Sequence, residues 1–424
     1  MKLRSFEIDT YRSCLRTKFT LHDELTGLIG VNGSGKSNIL NALTLLKKIY
    51  RSRPPTRDIE PSSRSKCHIR AEIEHQNKTL WIKGDVEYET DERNSDEVYS
   101  SDLKFNFREF IDYSNWLSIP IQFLGYSRPF GMVPDEPQVE ARQTMFFRYF
   151  ALRDSRAYEM IGRSRKIRQL LLNVAEFFDG INYYSASQFS DASQCPVSIE
   201  LEEDRPLRRF RGVRHEQFIL DLYKSFKAND TQYKRYLNTV SRDGIGLADK
   251  IDFTKVDMPS SSYQVMIGGK IKKSERNRDL IVPRFTINSA DLSPNQLSEG
   301  TFKTLALVYY ILTDDSRLLL IEEPEVCVHH GLLSSVISLI ELQSKQKQIV
   351  MSTHSDFVLD HLAPENLVFV ERSPAKGTIA KPLNRSMSKN DYEALRVYLK
   401  ESGNLGEYLK EGGFYKGCLD VHPR

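Results

Sequence analysis

Residues 30–37 read Gly-Val-Asn-Gly-Ser-Gly-Lys-Ser, the pattern G-x-x-x-x-G-K-[S/T]. No other stretch constrains the fold as much. Its glycines let backbone N–H groups turn inward and approach phosphates, the lysine reaches the β- and γ-phosphates, and the final hydroxyl ligates Mg²⁺. Such a loop works where a strand ends and a helix begins, because the helix N-terminus adds its positive pole. The flanks agree. Thr26–Ile29 is a short strand-like run, and Asn38–Tyr50 has apolar residues at helical spacing. The ATP-binding candidates are therefore Asn32, Gly33, Ser34, Gly35, Lys36, Ser37 and Asn38, with Ser37 also a Mg²⁺ ligand.

A second cluster begins 260 residues after Ser37. Leu297-Ser298-Glu299-Gly300-Thr301 precedes an apolar helical run. Leu318–Ile321 is a buried-strand pattern that ends in Glu322-Glu323-Pro324-Glu325. Gln348–Ser352 is another strand, followed by Thr353-His354-Ser355. A buried strand that ends in two carboxylates suits metal and water: Glu322 can hold Mg²⁺, and Glu323 can polarise an attacking water. His354, at the tip of the next strand, can reach a γ-phosphate. The catalytic candidates are Glu323 and His354; the metal candidates are Ser37 and Glu322.

Together, GVNGSGKSN (30–38), LSEGT (297–301), LLLIEEPE (318–325) and STHS (352–355) resemble the motifs of ABC-type ATPases of the SMC, RecF and OLD kind. The resemblance covers the chain to about residue 90 and again from about 285. It implies an α/β fold: a P-loop ABC ATPase head with a mixed sheet and flanking helices, interrupted by a mainly helical accessory insert. It implies ATP and Mg²⁺ as cofactors, slow hydrolysis, and an ATP-sandwich dimer or a higher oligomer. In that dimer Ser298, Glu299 and Gly300 of one subunit form the signature that faces the partner's nucleotide. It also implies a metal-contacting glutamine, for which Gln76 and Gln122 are the candidates. LSEGT in place of L-S-G-G-Q, and Glu322 in place of Asp, resemble OLD-like and RecF-like members. The stretch 402–417 resembles the end of the ATPase part in these proteins; seven residues follow it, so the chain is expected to carry no Toprim nuclease of its own.

The expected domains are residues 1–94 and 285–424 as the two halves of the ATPase, with 95–284 as the insert. No sustained heptads run through the insert, so it is read as a compact accessory domain. Gln138–Phe178 and His215–Val240 have helical patterns, and Tyr263–Val282 reads as a hairpin. Two basic clusters stand out: Arg205, Arg208, Arg209, Arg211 and Arg214, then Lys270, Lys272, Lys273, Arg276 and Arg278. A DNA-backbone groove, a solvated face paired with local acids, and a docking site for an acidic protein all remain open readings.

Composition excludes several classes. The 424 residues include no apolar run of 18, so no membrane span is expected. The N-terminus lacks the apolar segment of a secretory signal. Five scattered cysteines without a C-x-x-C pair fit a reducing cytoplasm. Stand-alone ATPases of this make-up resemble those of the PARIS and Septu anti-phage systems. That likeness implies a sensor and scaffold that answers a phage trigger protein and controls a separately encoded effector, a nuclease. The alternative is a RecF-like repair or recombination ATPase that binds DNA when ATP closes the dimer.

Overall fold

The computed structural model describes residues 1–52, 64–90, 96–111, 114–119, 164–189, 191–202, 214–265, 271–326, 328, 330–401 and 403–411. The chain divides into two compact units. One takes residues 1–183, 315–323 and 344–424; the other takes 184–314 and 324–343.

In the first unit, β1 (Lys2–Asp9), β2 (Thr17–Thr20), β4 (Ser65–His75), β5 (Lys78–Thr90), β6 (Asp96–Asn106) and β7 (Leu117–Ser118) form one antiparallel sheet, ordered β2-β1-β4-β5-β6-β7. Residues 2–8, 68–73 and 80–88, which alternate apolar and polar residues in the sequence, lie in its β1, β4 and β5. Their alternation of buried and exposed residues is what a sheet with one wet face requires.

The other large sheet joins both ends of the chain. It contains β3 (Leu25–Ile29), β8 (Ile181–Ser185), β13 (Leu318–Glu322), β14 (Gln348–Thr353), β15 (Leu367–Ser373) and β16 (Gly377–Pro382), ordered β16-β15-β3-β14-β13-β8. Strand β14 lies between β3 and β13 and pairs in parallel with both. Thr353 is opposite Ile29, and Ser352 is opposite Glu322. Every residue of β3 and of β14 is buried, so both read as continuous rather than alternating runs.

Helix α1 (Lys36–Arg51) follows β3 after a six-residue loop and is buried on most of its circumference. Ile39, Leu43, Leu46 and Ile49 share one core with Phe6, Ile69, Ile82 and Phe105 of the antiparallel sheet and Leu28, Leu320, Val350 and Val370 of the parallel one. Each fully buried aliphatic side chain of this kind contributes roughly 1.5–3 kcal/mol. Gln348 is also buried, with its amide satisfied: Leu3 N donates to Oε1 at 2.9 Å, and Nε2 donates to the carbonyls of Leu3 and His22, both at 2.8 Å.

The second unit contains α3 (Arg214–Ala228), α4 (Thr231–Val240), α5 (Glu299–Thr313) and α6 (His330–Ser344); α2 (Arg165–Asp179) precedes it in the first unit. Its sheet is a long ribbon of β10 (Lys250–Val265) and β11 (Ile271–Ile287), with β9 (Ile199–Glu202) and β12 (Ala290–Leu292) beside β11. Two sequence expectations change here. The helical pattern at 215–240 is broken into α3 and α4, because Asn229 takes φ 48° and the Asp230 side chain accepts from Tyr233 N, capping a new helix. The hairpin expected at 263–282 extends to 250–287. Among the described residues, no helix is long and apolar enough to cross a membrane.

A buried ionic cluster ties α1 to the antiparallel sheet. Asp96 of β6, with its side chain fully buried, accepts from Tyr11 OH at 2.5 Å, Thr90 Oγ1 at 2.8 Å, Arg12 Nη2 at 3.1 Å and Lys48 Nζ at 3.4 Å. Burial pushes the Asp96 carboxyl up. The Tyr11 hydrogen bond, the Lys48 charge, the Thr90 hydroxyl and the Arg12 charge outweigh it and hold the group below the usual carboxylate range. A carboxyl depressed in the folded state stabilises the fold fully above its unfolded value, about pH 4, and loses that contribution as pH falls through the folded value. Asp96→Asn should therefore lower unfolding free energy at pH 7 by about 2–4 kcal/mol. It should also flatten the stability loss below about pH 4. Urea melts of both proteins across pH 2–7 check this; parallel pH curves would refute it.

Candidate functional site

The loop of residues 30–35 connects β3 to α1. Gly30 (φ 154°), Gly33 (φ 79°) and Gly35 (φ 108°) all take left-handed backbone angles. At Gly30 a Cβ would lie 2.1 Å from the Val370 carbonyl, and at Gly35 2.1 Å from Thr378 Oγ1; nothing lies within 4 Å of one at Gly33. Two of the glycines thus allow close approach from behind, and the third serves conformation alone. Lys36 is 5% exposed, and its Nζ donates to the carbonyls of Gly30 at 2.8 Å and Val31 at 3.3 Å. The ammonium is therefore held inside the loop. Helix α1 has no side-chain N-cap and no acidic residue in its first turn. A helix start of this kind leaves N–H groups and a positive pole for an anion.

The β15–β16 hairpin braces the loop. Thr378 is 1% exposed. Its Oγ1 bonds Ser13 Oγ at 2.7 Å and donates to the Ser34 carbonyl at 3.3 Å, while its carbonyl accepts from Thr17 Oγ1 at 2.6 Å. Asn38, read from the sequence as an ATP contact, donates to Ser13 Oγ at 2.6 Å and so joins this bracing cluster. Ser13 and Thr378 carried no local sequence signal. Asn32, Gly33 and Ser37 are exposed at the loop. The Ser34 hydroxyl is buried, with no hydrogen-bond partner among the described residues.

The carboxylates and the histidine stand on the same edge of the parallel sheet. Glu322 ends β13, two strands from β3. Glu323 takes φ 45°, a conformation disfavoured for a residue with a Cβ and again for one before proline. Its N–H donates to the Ser352 carbonyl at 3.0 Å, which holds the turn. Strain of this kind costs of order 1–3 kcal/mol and concentrates at functional sites. The turn brings Glu323 Oε1 to 3.5 Å from His354 Nδ1. Ligands of open α/β sheets bind at this carboxyl edge of the strands.

Tyr183, which stands in none of the four motifs, also reaches this edge. Its hydroxyl donates to Glu322 Oε2. Ser298, Glu299 and Gly300 lie in the second unit, where Ser298 is the N-cap of α5 and its Oγ accepts from Thr301 N at 3.2 Å. Glu299 pairs with Lys303 at 2.6 Å, which neutralises the acid in the first turn. Gln76 is an exposed turn residue of the β4–β5 hairpin, with φ 52°. Gln122, Arg205, Arg208, Arg209, Arg211, Lys270, His329 and residues 138–163 and 412–424 lie outside the described residues.

Among the described residues, no cluster of three or more His, Cys, Asp or Glu could hold a metal ion by itself. Mg²⁺ takes one or two protein oxygens and completes its shell with phosphate and water. A hydroxyl from Ser37 and a carboxylate from Glu322 supply such hard donors.

With this geometry in place, two family models match the chain. Residues 1–123 match the family model described as "AAA ATPase domain". Residues 201–360 match the model described as "AAA domain, putative AbiEii toxin, Type IV TA system". Two separate stretches thus match ATPase-domain models, and with the loop of residues 30–37 the class is a P-loop ATPase. Among solved structures, the SMC head domain from Thermotoga maritima is similar at 11% identity and TM-score 0.41, over 90% of this chain and 99% of that one. An SMC head bound to the C-winged helix domain of ScpA gives 13% and 0.42, over 91% and 100%. A Pyrococcus furiosus SMC head with an extended coiled coil, bound to the C-terminal domain of ScpA, gives 11% and 0.40, over 93% and 99%. No curated protein matches the sequence.

Thr378→Val keeps the shape of the side chain and removes the hydroxyl that links Ser13 and Ser34. Nucleotide affinity should fall about 5- to 10-fold, the effect of roughly one buried hydrogen bond. Calorimetric titration with a non-hydrolysable ATP analogue measures it, and unchanged affinity would show that the hairpin does not brace the loop.

Proposed function

We propose that this chain hydrolyses ATP slowly and uses the nucleotide cycle to close and open a dimer. The reading rests above all on one observation: β14 lies between β3 and β13, so the glycine loop, Glu322, Glu323 and His354 share one sheet edge. Lys36 and the N–H groups of the loop bind the β- and γ-phosphates. Mg²⁺, when bound through Ser37 and Glu322, supplies neutralisation of the charge that develops on the phosphates. Glu323 orients the attacking water and draws on its proton. His354 holds Glu323 in place and faces the γ-phosphate side. Ser298, Glu299 and Gly300 of a second copy complete the site.

We place the ATPase as a sensor and scaffold in bacterial anti-phage defence, controlling an effector nuclease on a separate chain in response to a phage trigger protein. A family description that names a toxin of a Type IV TA system favours this setting. The second reading, a RecF-like DNA repair ATPase, draws on the basic residues Lys272, Arg276 and Arg278 along β11. ATP-dependent, salt-sensitive binding of duplex DNA would favour it. Co-purification of a nuclease would favour the first.

Lys36→Ala should abolish ATP binding in a filter or calorimetric assay; native affinity would remove the loop from the site. Glu323→Gln should bind ATP normally but lower kcat by at least 100-fold and accumulate the dimer, as seen by light scattering. Normal turnover would take the catalytic role from Glu323. Ser298→Arg and Lys36→Ala are each expected to be inactive. Mixed together, they should recover part of the native rate, because one composite site of the pair is intact. A mixture with no activity contradicts the shared site.

A further inference from the structure

We propose that Tyr183 is a positioning residue for Glu322, setting how that carboxylate meets the Mg²⁺ of bound nucleotide; this rests on the site reading above. Strand β8 is the neighbour of β13 in the parallel sheet, and its placement is fixed at three points. Gly180, just before it, accepts from the backbone N–H of Arg317 at 2.8 Å and Leu318 at 3.3 Å, at the start of β13. Asn182 accepts from Lys47 Nζ of α1, the helix that opens at the phosphate loop. Tyr183 then donates its hydroxyl to Glu322 Oε2.

The chemistry follows from that bond. A carboxylate at a strand end can rotate about its terminal torsion, which is broad. A phenol that donates to one oxygen fixes the rotation and leaves the second oxygen as the metal-facing one. Groups that orient a metal's carboxylate typically govern affinity for that metal by 10- to 100-fold. Because Lys47 lies on α1, the same strand is tied to the phosphate loop's own helix. The two halves of the metal site, Ser37 on α1 and Glu322 on β13, are thereby held in register.

The sequence pattern hid this role. Tyr183 and Tyr184 are adjacent on a strand and therefore point to opposite faces. Tyr184 OH donates to the Lys303 carbonyl and is buried, as a core tyrosine would be. Tyr183 is only partly buried and carries the carboxylate contact.

The test uses the full chain and Tyr183→Phe, which retains the ring and removes the donor. The affinity of a non-hydrolysable ATP analogue is measured in EDTA and then across a Mg²⁺ series; Mn²⁺ binding to the nucleotide complex is followed by electron paramagnetic resonance. The thermal unfolding temperature is recorded alongside. Tyr183→Phe should match native affinity in EDTA within about 2-fold, and it should raise the half-saturating Mg²⁺ and Mn²⁺ concentrations about 10-fold or more. An unchanged metal dependence overturns the proposal, as does an equal loss of nucleotide affinity with and without metal. Glu322→Gln separates the two levels. If it shifts the metal dependence and Tyr183→Phe does not, only the role of Tyr183 fails. If neither shifts it, the placement of the metal at Glu322 fails as well.

Discussion

The parallel pairing of β14 with β3 on one side and β13 on the other is the constraint on which the rest depends. Both partners are held by continuous backbone hydrogen bonds, with Thr353 beside Ile29 and Ser352 beside Glu322. A one-residue slip would turn every side chain of β14 to the other face. The register therefore sets the height at which the phosphate loop, the carboxylate pair and His354 emerge from the sheet. Because β3 comes from the start of the chain and β13 and β14 from its last third, this pairing is also what makes one nucleotide-binding sheet from two distant segments.

Two devices hold the loop and its helix in that frame. From behind, the β15–β16 hairpin places the Val370 carbonyl against Gly30 and Thr378 against Gly35. Along its flank, α1 is buried in the core that it shares with both sheets and is tied to Asp96 through Lys48. The strained turn at Glu323 is tolerated because Ser352, in the same pairing, accepts its N–H. Packing rigidity and site geometry therefore have a common origin.

The phosphate loop, the Glu322–Glu323 pair and His354 were legible in the sequence because their chemistry requires particular residue types within a few positions. The strands beside them were legible as short apolar runs. Thr378 and Ser13 were not, because they meet across more than 360 residues and neither stands in a motif. Asn38 falls inside the motif, yet its amide turns to Ser13, since the loop needs bracing as well as ligands. Tyr183 resembled core because strand aromatics usually are core. The break at Asn229–Asp230 was present as a turn and capping signal inside an otherwise helical pattern. The ribbon ran past its expected ends because Ile251 of β10 pairs with Phe285 of β11 and both are buried.

The proposed function puts nucleotide chemistry at the carboxyl edge of the β3–β14–β13 sheet. A structure determined with Mg²⁺ and a non-hydrolysable ATP analogue tests it most directly. The expected result is phosphates enclosed by residues 30–37, the metal between the Ser37 hydroxyl and the Glu322 carboxylate, and Glu323 and His354 on the γ-phosphate side. Nucleotide bound elsewhere, or a metal ion with neither Ser37 nor Glu322 in its coordination shell, would contradict it.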